Sequence, residues 1–494
     1  MKYNFSHISS KSVACICFFI MFSFFTTQHF YAQYSPKSIL LKEDTNIKKN
    51  YLRPAIGFTV NNLVMWTICR YPLKKEWAYI SLKTMKYNLS RGYLYDNDGF
   101  QTNNFDHPIG GSWSFTNART SGLNYWQSVP YAFAGSMMWE YFLEKEPPSL
   151  PDLISTTIGG AALGELSSKI YFGVMDRSKK GFKRIATEAG CFLINPNEFF
   201  SDVLNGDLFK VYKENSKKNV LPLYLNVGTG VAFFIDRKLP VSGNVSLTLN
   251  ADFQYIEHDS ISKIKPFDYM DSDLCLKVFG SQPFLNKLNL EGIIWGKKIK
   301  SGMNGLLTAG IFQHYNYYDS DTVFSDSPYV PYLLASTSSY GPGIIYSFEN
   351  KELKRKHTFK AHFFGILMGA GVTDYYNVKK RNYNFGNGFG SKIVYKLKVK
   401  DFLNFKAGIE HFHIITDEGI PAGTIIDSQN FFDFKGDDGK VDYLIFTSNV
   451  SFKIFRNFSA FINYLAEYRN IRSDIYKLAK AKSHEINSGI LYNF

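Results

Sequence analysis

The 494-residue chain, 45% hydrophobic and 17% aromatic, is long enough for one large domain or two ordinary ones. Its mean hydropathy is only −0.18, so the apolar residues, 33 Tyr and 45 Phe among them, are interleaved with polar ones, and an ordinary helical membrane protein is excluded. On a chain read below as exported, the net charge of +13 points to anionic lipid head groups or an anionic ligand, and no nucleic-acid partner is expected.

Lys2, His7 and Lys11 precede an apolar run from Val13 to Phe25, and a polar spacer with a small residue at Ala32 follows. Together these predict a secretory signal over residues 1–32, whose apolar part is too short to remain as a membrane helix. Cys15 and Cys17 lie inside it, while Cys69, Cys191 and Cys275 are too scattered for a disulfide framework or a zinc site. Residues 33–75 read as a linker and N-terminal segment, and the pattern across 77–90 predicts a first strand at the start of a 76–215 region.

Residues 100–205 do not alternate and carry helix punctuation instead. Ser128 ahead of Pro130 predicts a helix running to about Glu144, which Pro147 and Pro148 stop. Ser149, with Asp152 as its capping-box partner, predicts a second helix through Gly160 and Gly164 to about Tyr171. The small-residue spacing of Gly160 and Gly164 lets backbones approach closely, so the hairpin is expected to be buried, inserted in a barrel or plugging its mouth.

Burial makes the charges of this hairpin conspicuous. Glu140 and Glu165 sit in apolar stretches, and each needs a partner or a raised pKa. His107 is a candidate proton carrier or metal ligand, which makes His107, Glu140 and Glu165 the catalytic candidates. Arg119 and Asp152 are read as parts of a polar network, Arg119 neutralising one carboxylate and Asp152 serving the cap. A structural network pinning the helices accounts for the same residues without chemistry.

The stretch Asn104-Phe105-Asp106-His107-Pro108, with Ala118-Arg119, Trp139-Glu140-Tyr141, Pro148-Ser149, Asp152, Gly164-Glu165 and Asn195-Pro196, resembles a bacterial envelope family. That family is known as domain of unknown function 3943, and the resemblance spans about residues 100–200. It implies an envelope protein and supplies no activity.

Over 216–494 the pattern changes to recurrent alternating runs of the length that a tilted strand needs to cross a bilayer. Further strands are expected near 223–234, 243–255, 273–280, 287–296, 303–316, 333–348, 356–370, 389–400, 403–414, 440–455, 458–468 and 483–494. The connections alternate long and short, and the short set shares a side with Phe494. The fold expected is therefore mostly β, a transmembrane antiparallel barrel of about 12 strands in the outer membrane, in contact with its lipids. Its terminal strand carries an aromatic signature of the kind that the barrel assembly machinery recognises.

Three readings of function follow: a barrel of unknown activity, an envelope lipid-modifying hydrolase sited in the helical insert, or a channel or binding protein for anionic solutes. The last rests on Lys392, Lys396, Lys398 and Lys406, which alternation places together on one wall of the lumen. His411 and His413 lie two apart on a strand face with no third ligand in view, and Asp437, Asp438 and Asp442 surround a loop tip where calcium is weakly signalled. No cofactor is expected.

Overall fold

The structure, a computed structural model, describes residues 49–95, 98–175, 177, 180–206, 208, 210–211, 223–235, 245–256, 264–280, 282–301, 305–323, 329–373, 383–416, 439–473 and 478–493. The expected signal, Asp437, Asp438 and Phe494 lie outside these residues. The chain divides into two compact units, Met1–Leu94 with His107–Leu221 and Tyr95–Asp106 with Pro222–Phe494.

The first unit is helical. Asn50 accepts the backbone N–H groups of Leu52 and Arg53, at 3.1 and 2.9 Å, and so starts α1, Leu52–Arg70, in a segment expected to be linker. The strand expected over 77–90 is instead a short 3₁₀ turn, Glu76–Ala78, followed by α2, Leu82–Arg91. A local device overrides the alternation: Ser81 and Thr84 form a reciprocal capping box, and Gly92, at a φ of 79°, ends the helix.

α3, His107–Arg119, α4, Tyr125–Met138, α5, Leu150–Ile154, and α6, Gly160–Val174, form the middle of the unit. The cap of α4, Asn124, lies four residues earlier than the expected Ser128. Asn124 and Gln127 make the capping box, and Pro130 falls inside the helix, where it forgoes one backbone bond. Ser149 caps α5 as expected, its Oγ accepting the Asp152 N–H at 3.4 Å.

π-helical turns interrupt the series at Trp139–Leu143 and Ser155–Gly159. Glycine is required where α3 crosses this chain: a Cβ on Gly111 would lie 1.8 Å from the Thr156 carbonyl, and one on Gly160 would lie 2.7 Å from the Gly111 backbone. α7, Gly181–Ile194, and α8, Pro196–Leu204, complete the unit. No helix among the described residues is long and apolar enough to cross a membrane.

The second unit is a closed antiparallel barrel of twelve strands. They are β1 Leu223–Phe234, β2 Val245–Ile256, β3 Tyr269–Phe279, β4 Leu285–Ser301, β5 Gly305–Asp319, β6 Leu333–Asn350, β7 Arg355–Val372, β8 Tyr383–Val399, β9 Leu403–Thr416, β10 Gly439–Phe455, β11 Phe458–Ser473 and β12 Ala479–Asn493. Each strand pairs with its sequence neighbours, and β1 pairs with β12, so no edge is left open. On the side where β12 ends, the links 302–304, 351–354, 400–402 and 456–457 are short, and only 257–268 is longer. Lys354, Lys400 and Arg456 turn them in the left-handed region, at φ of 48°, 49° and 43°.

Outward-facing strand residues make an apolar exterior: Ile393 is 66% exposed and Phe363 55%, with Trp295, Ile409, Ile462 and Ile490 also exposed. So much apolar surface around a closed barrel is matched to lipid, and the strands are membrane-spanning. Tyr315 and Tyr317 alternate with the lumen residues Asn316 and Tyr318 and therefore face outward. Against that outer face pack residues 98–106: Phe100 meets Tyr317 and Tyr383, the Asn103 amide donates to the Tyr383 hydroxyl at 3.0 Å, and the Tyr315 hydroxyl donates to the Asn104 carbonyl at 2.6 Å.

Candidate functional site

In the helical unit the structure brings together His107, Glu140 and Asp152. His107 opens α3, Glu140 lies in the π-turn after α4, and Asp152 lies in the first turn of α5. His107 Nε2 is 3.4 Å from Asp152 Oδ2. Glu140 Oε2 accepts the Ser149 N–H at 2.8 Å, and one ligand-type atom from each of the three residues lies within 4.8 Å of the others.

Backbone contacts set the geometry. Leu94 exchanges hydrogen bonds with Pro148 and Leu150, at 2.8 Å each, and so fixes Ser149 between them. The buried Asn88 amide donates to the carbonyls of Glu140 and Glu144, at 3.3 and 2.9 Å, at the end of that helix. The Tyr93 hydroxyl is held above its ordinary range by burial, then by Tyr141 and by the nearby Glu140.

Glu165 does not join the set. Its Oε1 lies 2.7 Å from Arg119 Nε as an ion pair, so Arg119 takes the neutralising role expected of it and Glu165 is its partner. Asp152 moves the other way: its backbone serves the cap, while its carboxylate faces His107.

A second polar network pins the end of the unit. Asp202 accepts from the Tyr171 hydroxyl at 2.6 Å and from Arg177 Nη2 at 2.6 and 2.7 Å. Burial, and then Asp202, push the Glu198 carboxyl up to about 8, and burial pushes the Cys191 thiol up to about 12.

In the barrel, contacts between strands that are not neighbours mark the lumen. Lys360 on β7 pairs with Asp271 on β3 and, at 2.5 Å, with Glu291 on β4. Of the lysines expected on one basic wall, Lys392, Lys396 and Lys406 do face inward, but each is met by a carboxylate. Lys392 pairs with Glu410 at 3.1 Å, Lys396 with Asp271, and Lys406 with Asp273 at 3.5 Å. Lys398 is half-exposed at the rim, 3.7 Å from Asp401. The wall is therefore balanced rather than basic: β3, across the lumen, supplies the acids that meet Lys396 and Lys406, and Glu410 on β9 itself meets Lys392.

Beneath this network His362 Nδ1 lies 3.3 Å from His314 Nε2 and 3.9 Å from Glu291 Oε2, with all three residues buried. Gly343 on the intervening β6 makes the room: a Cβ there would lie 2.8 Å from both the His362 and Phe312 rings.

Among the described residues, side chains crowd the end of the lumen away from the short links. Phe364, Phe412, Ile414 and Tyr443 are buried there. The end of the 320–332 link turns inward: Arg469 Nη1 donates to the carbonyls of Val330 and Pro331 at 2.9 Å, and the Tyr332 hydroxyl donates to Glu485. Lys277 pairs with the same Glu485 at 2.9 Å. The other half holds a cavity of about 650 Å³ lined by Asp252, Asp273, Cys275, Lys287, Lys406 and Glu410, among others.

On the outer face, Asp442 supplies the third group that His411 and His413 lacked in the sequence. Asp442 Oδ1 is 2.6 Å from His413 Nδ1 and 3.7 Å from His411 Nε2.

Residues 92–197 match the family model DUF3943, described as a domain of unknown function. No curated protein matches the chain. Among solved structures it is similar to the COG4313 outer membrane channel of Pseudomonas putida F1, at 8% identity and a TM-score of 0.27, over 58% of this chain and 100% of that one. It is also similar to the NanC porin, at 9% identity and a TM-score of 0.25, over 54% and 98%. The channel DcaP of Acinetobacter baumannii aligns at 10% identity and a TM-score of 0.21, over 55% and 96%. With its closed, lipid-facing strands the chain is an outer-membrane β-barrel protein, and its helical segment resembles DUF3943.

Proposed function

We propose that the barrel is a chamber for a small polar solute, zwitterionic or neutral, which it admits from the short-link rim and does not conduct. The observation that carries this reading is the cavity of about 650 Å³, within the size range of ligand pockets, walled by paired acids and lysines and backed by Tyr332 and Arg469. A balanced wall concentrates neither sign of charge, which speaks against the anion-selective alternative. By the usual orientation of such barrels the short-link rim faces the periplasm.

Cys275 lines the chamber and provides the test. With Cys69 and Cys191 replaced by serine, the purified barrel is treated with cationic, anionic and zwitterionic thiosulfonate reagents of equal size. The expected result is labelling of Cys275 at comparable rates, whereas an unbalanced field would separate the rates by about 10-fold or more. A strong preference for the anionic reagent would overturn the reading, as would failure of all three to label.

A second reading, chemistry in the helical unit, keeps His107 and Glu140 and exchanges Glu165 for Asp152. Its support is the convergence of those three side chains. For the terminal strand we propose recognition by the barrel assembly machinery, on the aromatic alternation that ends at Phe494.

A further inference from the structure

We propose that His107, Glu140 and Asp152 form a binding site for one divalent transition-metal ion, with coordination positions left open to water or substrate. An imidazole and two carboxylates, presented within 4.8 Å of one another, are the donor set of a three-ligand site of the catalytic type. With the imidazole neutral, the set carries two negative charges, matched to a divalent ion. Glu140 and Asp152 are 3% exposed, so an ion bound there sits in a medium where its attraction to the carboxylates is little screened.

The backbone supplies an independent observation. Three π-helical turns occur among the described residues, at Thr102–Asp106, Trp139–Leu143 and Ser155–Gly159. The first ends next to His107, the second contains Glu140, and the third begins three residues after Asp152. π-Turns are rare and concentrate at functional sites, because the extra residue re-aims side chains that a regular helix would point elsewhere. Here each ligand of the trio comes with one.

The barrel's buried trio, Glu291, His314 and His362, has a similar donor set but a different electrostatic setting. Lys360 donates to Glu291 at 2.5 Å, and a divalent ion there would face an ammonium across the same carboxylate. The helical trio is therefore the assigned site.

The test uses the full-length protein in detergent, stripped with a chelator and titrated with Zn²⁺ alone. Bound zinc per chain is read by elemental analysis, and its ligands by X-ray absorption. One zinc per chain is expected, with nitrogen and oxygen ligands and a single imidazole. His107→Ala and Asp152→Asn should each weaken binding at least ~100-fold, beyond the loss typical when only a residue that orients a ligand is changed, and His314→Ala should leave it unchanged. Asp152→Asn keeps the side-chain shape and the backbone cap, and so stands in if His107→Ala fails to fold. Undiminished binding in both variants, two imidazoles in the spectrum, or loss confined to His314→Ala would overturn the assignment.

Discussion

In the barrel lumen Lys360 is held between Asp271 and Glu291, and every inward lysine of β8 and β9 meets an acid from another strand. In the helical unit Glu140 and Asp152 lie together beside one histidine, His107. The two regions resemble each other in burying many charges and differ in the groups that meet: lysines with acids across the lumen, two acids with a histidine in the helical unit. Balanced charge across a lumen fixes strands against one another and leaves the chamber electrically quiet. Carboxylates gathered on one side of a histidine make a site that favours a cation.

The largest expected effect that separates the regions is in the lumen. Lys360→Met leaves Asp271 and Glu291 buried against each other and should destabilise the barrel by about 3–5 kcal/mol. The check is the unfolding midpoint of the heat-modifiable band on an unheated gel, and restoring neutrality with Glu291→Gln, which leaves Asp271 paired with Lys396, should recover part of it. Next comes the helix crossing. Gly111→Val drives a side chain into the Thr156 carbonyl and should cost the helical unit about 3 kcal/mol. Limited proteolysis should show the helices degraded while the compact barrel band survives, and joint loss would show that the units do not fold separately.

The third effect depends on pH. Burial holds the folded pKa of Glu198 at about 8, above the ordinary 4.5, so its stabilising protonated form is fully present in both states only below pH 4.5. As pH rises from there toward 8 the folded state is progressively penalised, and above 8 the penalty levels off. Glu198→Gln should therefore stabilise the helical unit by about 2–3 kcal/mol more at pH 8 than at pH 5.5, read as a pH-dependent gain in proteolytic midpoint. The smallest effect is at the rim, where Lys398→Ala removes an exposed pair and should change barrel stability by less than about 0.5 kcal/mol.

The barrel was legible in the sequence because its strands are solvated differently on their two faces. Period-two alternation gave β1 its observed bounds, Leu223–Phe234, and put most other strands within a few residues. Lumen partners were not legible, since Asp271 and Lys360 are brought together by closure and not by any spacing along the chain. The inward turn of the 320–332 link had a signal in Tyr329-Val330-Pro331-Tyr332, an apolar run in a connection otherwise expected to be polar.

In the helical unit the glycine spacing of Gly160 and Gly164 correctly announced a close crossing, with Gly111 and Phe115 as the partners. In the sequence Glu140 stands out by its apolar surroundings and His107 by its chemistry. That Asp152 rather than Glu165 lies beside them is not legible, since a capping box accounts for Asp152 and an apolar stretch singles out Glu165. The 77–90 segment misled for a related reason, its alternation being overruled by the Ser81–Thr84 capping box.

The most direct test of the sealed, balanced chamber is the conductance of the purified protein in a planar bilayer under a salt gradient, alongside a variant lacking residues 324–332. The wild type is expected to show no steady conductance, and the shortened variant to open without marked preference for cations or anions. Steady anion-selective current through the wild type would contradict both the seal at Tyr332 and the balance of Lys392, Lys396 and Lys406 with their acids.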